Sequence, residues 1–294
     1  MSSVINLAEL PSPNVVEALD YEAILTEMLA DLKRRAPAFS ATVESDPAYK
    51  ILEVAAYREM LLRQRVNDAA RAVMVAYAKD NDLEHLGALF NVPRRVIQQG
   101  DAEASPPVPD INEDDEIYRV RIPLSLEGLS TAGPVGAYQY HSLSASGQVK
   151  DVDVQSPSPG EVLVTVLSQD GQGEASLALL GTVSDALNDE DVRPLTDKVT
   201  VQGAEVVTYT VHARLTFFEG PDLQVAMAAA EQAVREYITR EHRLGRHINR
   251  SGLFAALHQP GVKNVQLLSP ADDLVVARHQ AAWCETLSLE VKDE

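Results

Sequence analysis

The chain has 294 residues, 45% of them hydrophobic, with a formal net charge of −19. That is enough apolar material for real cores and a length natural for two or three domains, so disorder throughout is excluded. The charge repels phosphate backbones and anionic lipid, and no apolar run approaches the roughly 20 residues that cross a bilayer, which argues against direct nucleic-acid binding and membrane insertion.

Residues 1–14 read as a short, proline-bearing arm; they show no basic region followed by an apolar run, so no signal peptide is readable and synthesis in the cytoplasm is expected. Val15 to Arg35 has helical spacing, with Val16, Leu19, Ala23, Leu25, Met28, Leu29 and Leu32 as its apolar positions. Lys33, Arg34 and Arg35 suit the negative end of the helix dipole, and Pro37 stops the helix. A longer helix follows. Asp46 caps it, Pro47 occupies its first position, and neither glycine nor a further proline interrupts it through Ala78. Along it Ile51, Ala55, Leu62, Val66, Ala69, Val73 and Ala76 form a seam for a neighbouring helix, while Arg63, Arg65, Asp68 and Arg71 fall off it. An internal hairpin with the first helix would satisfy this seam; so would a bundle shared with other chains. Length favours the second, because the shorter helix covers only part of the longer one. Asp82 is the expected cap of a short helix from Leu83 to Phe90.

Residues 98–115, QQGDAEASPPVPDINEDD, read as an acidic, proline-rich linker that divides an N-terminal arm and helical region (1–97) from a middle α+β domain (116–203) and a C-terminal α+β domain (204–294). The middle domain opens with two helical pieces punctuated by STAGPVG at 130–136. Runs at 149–154 and 162–167 then read as an antiparallel pair separated by SPSPGE, with a helix over 175–187 and a short strand at 199–201. Residues 101–200 hold 18 acids and 5 bases, a net of −13 against −3 in each flanking third. Solubility explains that excess; a docking face for a basic partner explains it too. In the last domain, strands are expected at 206–218, 262–268 and 285–291, and helices at 223–239, started by Pro221–Asp222, and at 250–257. The fold class is therefore α+β: a long-helix region, then two small α+β units with mostly antiparallel sheets.

No chemistry-bearing motif emerges. G-x-S-x-G and Walker-type loops are missing, and Gly171-Gln172-Gly173 lacks a third glycine at dinucleotide-binding spacing, so it reads as a turn. His242 and His247 lie five apart with Gly245 between them, off any shared helix face for zinc. Asp114–Asp115 and Asp272–Asp273 are adjacent acids in loops without a third ligand. Asp189, Glu190 and Asp191 precede a turn in which Arg193 and Asp197 suit a buried ion pair. Cys284, the single cysteine, reads as a small buried hydrophobe. Arg240, Arg243, Arg246 and Arg250 make a locally positive stretch, either a solvated helix end or an electrostatic contact with an acidic neighbour, such as the middle domain of another copy. The residues thus point to no enzyme, no catalytic or metal site and no cofactor.

DPAYKILEVAAYREMLLRQRVNDAARAVMVAYAK (46–79) resembles the baseplate J-like proteins of contractile phage tails. So do AGPVGAYQYHSLSAS (132–146), VKDVDVQSPSPGEVLVTVL (149–167), VRPLTDKVTV (192–201), LGRHINRSGLFAALHQPGVKNVQLLSP (244–270) and the run from Trp283 to Val291, all in the family's order. The resemblance implies a structural wedge subunit in the baseplate of a phage or tail-like bacteriocin particle, assembled in the host cytoplasm. It implies self-pairing within and between wedges, a helical core shared with a tail protein I-like subunit, and a sheath-initiating, lysozyme-like wedge protein nearby. It carries no catalytic residues. A tail-associated hydrolase and a cytoplasmic adaptor unrelated to tails are the competing expectations.

Overall fold

A computed structural model describes residues 17–37, 43–130, 133–218 and 223–292, together with Leu7, Leu10, Pro13 and Val15. The chain divides into two compact units, residues 3–93 and 94–294.

The first unit is helical. α1 (Tyr21–Arg35) starts later than periodicity suggests. The side chain of Asn67 binds the backbone of Glu17 in both directions, accepting from its N–H at 3.1 Å and donating to its carbonyl at 2.9 Å, and residues 17–20 stay outside the helix, with Asp20 extended. Asp20 then caps the helix through the N–H of Ala23 at 3.1 Å. Val16 lies outside the described residues. α2 (Pro47–Ala72) is capped by Asp46, which accepts from the N–H of Ala48 at 2.9 Å. It stops six residues before Ala78: the N–H of Met74 turns back to Arg71 O at 3.1 Å, a tighter turn that ends the α-helical ladder. α3 (Asp80–Leu89) begins two residues before the expected Asp82 cap, after Lys79. Ile24 and Leu25 of α1 pack on Ala56 of α2, with Tyr21, Met28, Leu29, Tyr49, Leu52 and Met60 around them.

The second unit starts at Arg94, ahead of the expected boundary at 97/98. Residues 98–115 do not form an open linker. β1 (Val96–Gln98) pairs antiparallel with β2 (Ile111–Asn112), and Asp101 and Val108 exchange two backbone bonds of 2.9 Å. Charge explains the order: Arg94 donates to Glu113 O at 2.8 Å, and the Glu113 carboxylate accepts from Arg95 N at 2.9 Å and ion-pairs with Arg121. The side chains of Arg121 and Glu113 are 0% and 1% exposed, a fully enclosed pair.

α4 (Asp115–Leu124), capped by Asp114, and α5 (Val135–Ala145) cover a three-stranded sheet. β3 (Val149–Gln155) runs antiparallel to β4 (Glu161–Ser168), as the sequence pattern indicates, and β5 (Lys198–Gly203) joins β4 in parallel after α6 (Leu177–Leu187). Val152, Val154, Val164 and Val166 pack against Tyr138, Leu143, Leu179, Val183 and Leu187. In the C-terminal sheet, β6 (Glu205–Phe217) lies between β7 (Val262–Ser269), antiparallel to it, and β8 (Gln280–Val291), parallel to it. Alternate β6 residues Tyr209, Val211, Ala213 and Leu215 face a core shared with α7 (Leu223–Glu241) and α8 (Arg250–Leu257). Pro221–Asp222, the expected start of α7, lies outside the described residues. The chain as a whole is α+β, with its strands confined to the second unit among the described residues.

Candidate assembly interfaces

α2 presents two faces of different fate. Tyr49, Leu52, Ala56, Met60 and Asn67, spaced three, four, four and seven apart, form the stripe that α1 and its lead-in cover. The expected seam lies elsewhere on the helix. Ile51 is 69% exposed, Leu62 64% and Val66 58%. Ala69 is exposed as well and Ala55 half-buried. Val73, 69% exposed, is the residue that ends α2, and half-buried Ala76 sits in the following turn, so these two do not extend the helix itself. Face, and not reach, accounts for the opening: α1 spans about 22 Å and α2 about 39 Å at 1.5 Å per residue, but Ile51, Leu62 and Val66 lie within the same 49–67 span as the covered stripe and on the side turned away from it. Sequence reading missed Val54, Tyr57 and Leu61, also exposed, which widen the apolar surface; their spacing of three and four was the available signal. Arg63 binds Glu59 at 3.0 Å and also reaches Glu17 at 3.4 Å, while Gln64 binds Asp68 at 2.7 Å.

The four arginines of the positive stretch, Arg240, Arg243, Arg246 and Arg250, do not converge. Arg240 and Arg243 line one cleft beside α7. Arg250 instead anchors the 271–273 loop: its side chain donates to Ala271 O and its backbone N–H to Asp273 at 2.7 Å. Arg246 is exposed in the intervening turn.

The residues examined for chemistry are engaged in structure. His242 is buried, its Nδ1 2.7 Å from Ala282 O and its ring edge-on to Trp283 at 5.0 Å; burial holds its pKa below the ordinary imidazole range. His247 Nδ1 accepts from Val276 N at 3.1 Å. Gly171 and Gly173 take positive φ in a turn closed by a bond from Ser168 N to Gly173 O at 2.8 Å. Asp114 caps α4, and Asp115 pairs with Arg94 at 2.6 Å. The expected pair of Arg193 and Asp197 does not form. Arg193 reaches Asn188 at 3.5 Å, while Asp197 accepts from the Tyr138 hydroxyl at 2.8 Å; burial, then that bond, raises the phenol's pKa. Cys284 is half-buried on the C-terminal core, and burial pushes its thiol up. Among the described residues, no group of three or more His, Cys, Asp or Glu is placed to hold a metal ion, and no helix is long and apolar enough to cross a membrane.

Three family models match the chain in order: the Baseplate J-like N-terminal domain at residues 44–101, the central domain at 130–203 and the C-terminal domain at 209–290. Baseplate protein J of Escherichia phage P2 is 49% identical over 288 residues, covering 96% of this chain and 95% of its own. The chain belongs to the baseplate J-like family. It is a structural protein of a bacteriophage-type tail baseplate, which sets aside the adaptor unrelated to tails. Within the baseplate J-like framework, the N-terminal model takes in all of α2 and α3, the central model runs from α5 through β5, and the C-terminal model spans the β6, β7 and β8 sheet. A cryo-EM structure of the anti-feeding prophage (AFP) baseplate, 6-fold symmetrised, overlaps with a TM-score of 0.41 at 16% identity. That overlap covers 63% of this chain, which spans 44% of the length of the other.

Proposed function

We propose that this chain is a wedge subunit of a contractile-tail baseplate, whose α2 completes its apolar face with helices of neighbouring subunits. The observation that carries the reading is the exposure of Ile51, Leu62 and Val66 on one side of a helix whose other side is already occupied. Apolar surface left in water at that density is a binding surface in waiting, worth roughly 25 cal/mol for each Å² a partner covers. The partners that fit are a tail protein I-like subunit, which would supply a helix to the bundle, and a second copy of this chain, linking wedges into a ring. A sheath-initiating, lysozyme-like wedge protein is the expected neighbour. The role is structural and needs no cofactor.

The test is co-expression with the neighbouring tail genes, followed by native mass determination. The expected result is a complex containing this chain with at least one helical partner. Elution of the chain alone, with every neighbour present and folded, refutes the proposal.

A further inference from the structure

The outward side of α2 is interrupted by charge. Arg58 and Arg65 stand one heptad apart, about 160° and 180° round the helix from Ala56, which α1 encloses. Both are exposed, and neither makes an ion pair or a side-chain hydrogen bond among the described residues. A helix sets each side chain beside those three and four positions away. For Arg58 these are Val54, Ala55, Leu61 and Leu62, with no acid among them.

The remaining charges of α2 do not cancel the two arginines. Lys50 pairs with Glu53 at 2.9 Å, and Arg63 takes up Glu59 at 3.0 Å. Asp68 keeps its negative charge while accepting from Gln64 at 2.7 Å. Three residues past Arg65, it offsets part of that arginine's charge, but it lies about 15 Å along the axis from Arg58. Arg71 adds a base in the last turn. The helix holds five bases against three acids, in a chain whose net charge is −19.

A partner that covers the apolar residues around Arg58 also strips water from its guanidinium. A buried cation without a counter-charge is strongly unfavourable, so the occupant must bring a carboxylate to that point. A second α2 answers this need poorly. Its outward side carries the same two arginines and, beyond the Lys50–Glu53 pair, a single acid, Asp68. Like charges set across an interface select against such a partner. We propose that the outward side of α2 takes a helix of a different protein, with an apolar stripe and two carboxylates a heptad apart that meet Arg58 and Arg65. The pairing rests on the helix bundle proposed above, and it specifies the partner's chemistry and the register in which it docks.

The experiment uses the full chain co-expressed with the neighbouring tail genes. Arg58→Lys and Arg65→Lys, made singly, keep the charge and place an amine where a zero-length carbodiimide couples it to a touching carboxylate. Mass spectrometry of the complex should find positions 58 and 65 joined to acids about seven residues apart in one helix of another subunit. Arg58→Glu with Arg65→Glu, both at exposed sites, should leave thermal melting unchanged and weaken binding of that subunit at least tenfold. Changing the two coupled acids to lysine should restore it. Position 58 joined only to acids of this same chain or of a second copy overturns the pairing, as does an affinity that ignores the charge reversal. In both cases a complex that Val66→Asp still breaks leaves the bundle standing. A chain that elutes alone, with every neighbour present and folded, refutes the bundle and the pairing together.

Discussion

Substituting Val66 by aspartate separates folding from assembly. Complete burial of a Val, Leu or Ile side chain is worth about 1.5–3 kcal/mol. Ile51, Leu62, Val66 and Val73 are 58–69% exposed, so a partner has about 1–2 kcal/mol per residue still to gain, on the order of 4–8 kcal/mol for the four together. Val66→Asp forfeits its own share and adds the desolvation of a carboxylate, an expected loss above about 3 kcal/mol, or more than about 100-fold in Kd. The free chain should not notice: Asp and Val have similar helix propensity, and an exposed change away from caps and ion pairs stays within about 0.5 kcal/mol. Ala56→Asp is the contrast, because Ala56 is fully enclosed beneath α1 and its replacement should unfold the first unit. The assays are thermal melting by circular dichroism for the free chain and titration against the co-purified partner for the complex. Unchanged affinity of Val66→Asp, or its unfolding in isolation, would refute the reasoning.

Three further outcomes are expected. Glu113→Ala strands the buried Arg121 guanidinium and the N–H of Arg95, and should cost about 3–5 kcal/mol in a urea titration followed by the single tryptophan, Trp283; Glu113→Leu with Arg121→Met should recover most of it. Gly173→Ala should cost about 1–3 kcal/mol in the same titration, since φ is +102° and a Cβ would fall 2.5 Å from buried Leu167. Burial keeps the folded pKa of His242 below that of the unfolded chain, so its contribution to stability is complete above the ordinary value near 6.5 and is lost as pH falls from there through the folded value. The urea midpoint of the wild type should therefore drop more between pH 8 and pH 5.5 than that of His242→Gln; equal drops would exclude His242 as the cause.

How much of this was legible in the sequence depended on the range of the interactions. Asp46–Pro47 announced α2 because capping and proline geometry are decided within four residues, and α8 fell on the residues its pattern indicated. α1 was read six residues too long because the brake on it, Asn67, lies fifty residues away. The stretch 98–115 was mistaken for a linker because its composition is that of one; the arginines that order it are Arg94 and Arg121, outside it. Arg121 was passed over because charge reads as surface, although it recurs among Ile117, Tyr118 and Ile122, all buried. The parallel partners of β4 and β6 were not foreseen, since no local signal says which strand returns to which edge. For the proposed assembly face, period alone picked out the apolar stripe, yet α1 was needed to show that Ile51, Leu62 and Val66 stay exposed on the side of α2 it does not take.

The placement of β6 has a consequence for synthesis. Its parallel neighbour β8 begins more than sixty residues after β6 ends, so a growing chain holds a thirteen-residue strand with one edge unpaired until the last strand emerges. A product cut short before residue 280 would keep that edge open permanently and offer it to any strand nearby, so premature termination yields a sticky fragment instead of a smaller working part.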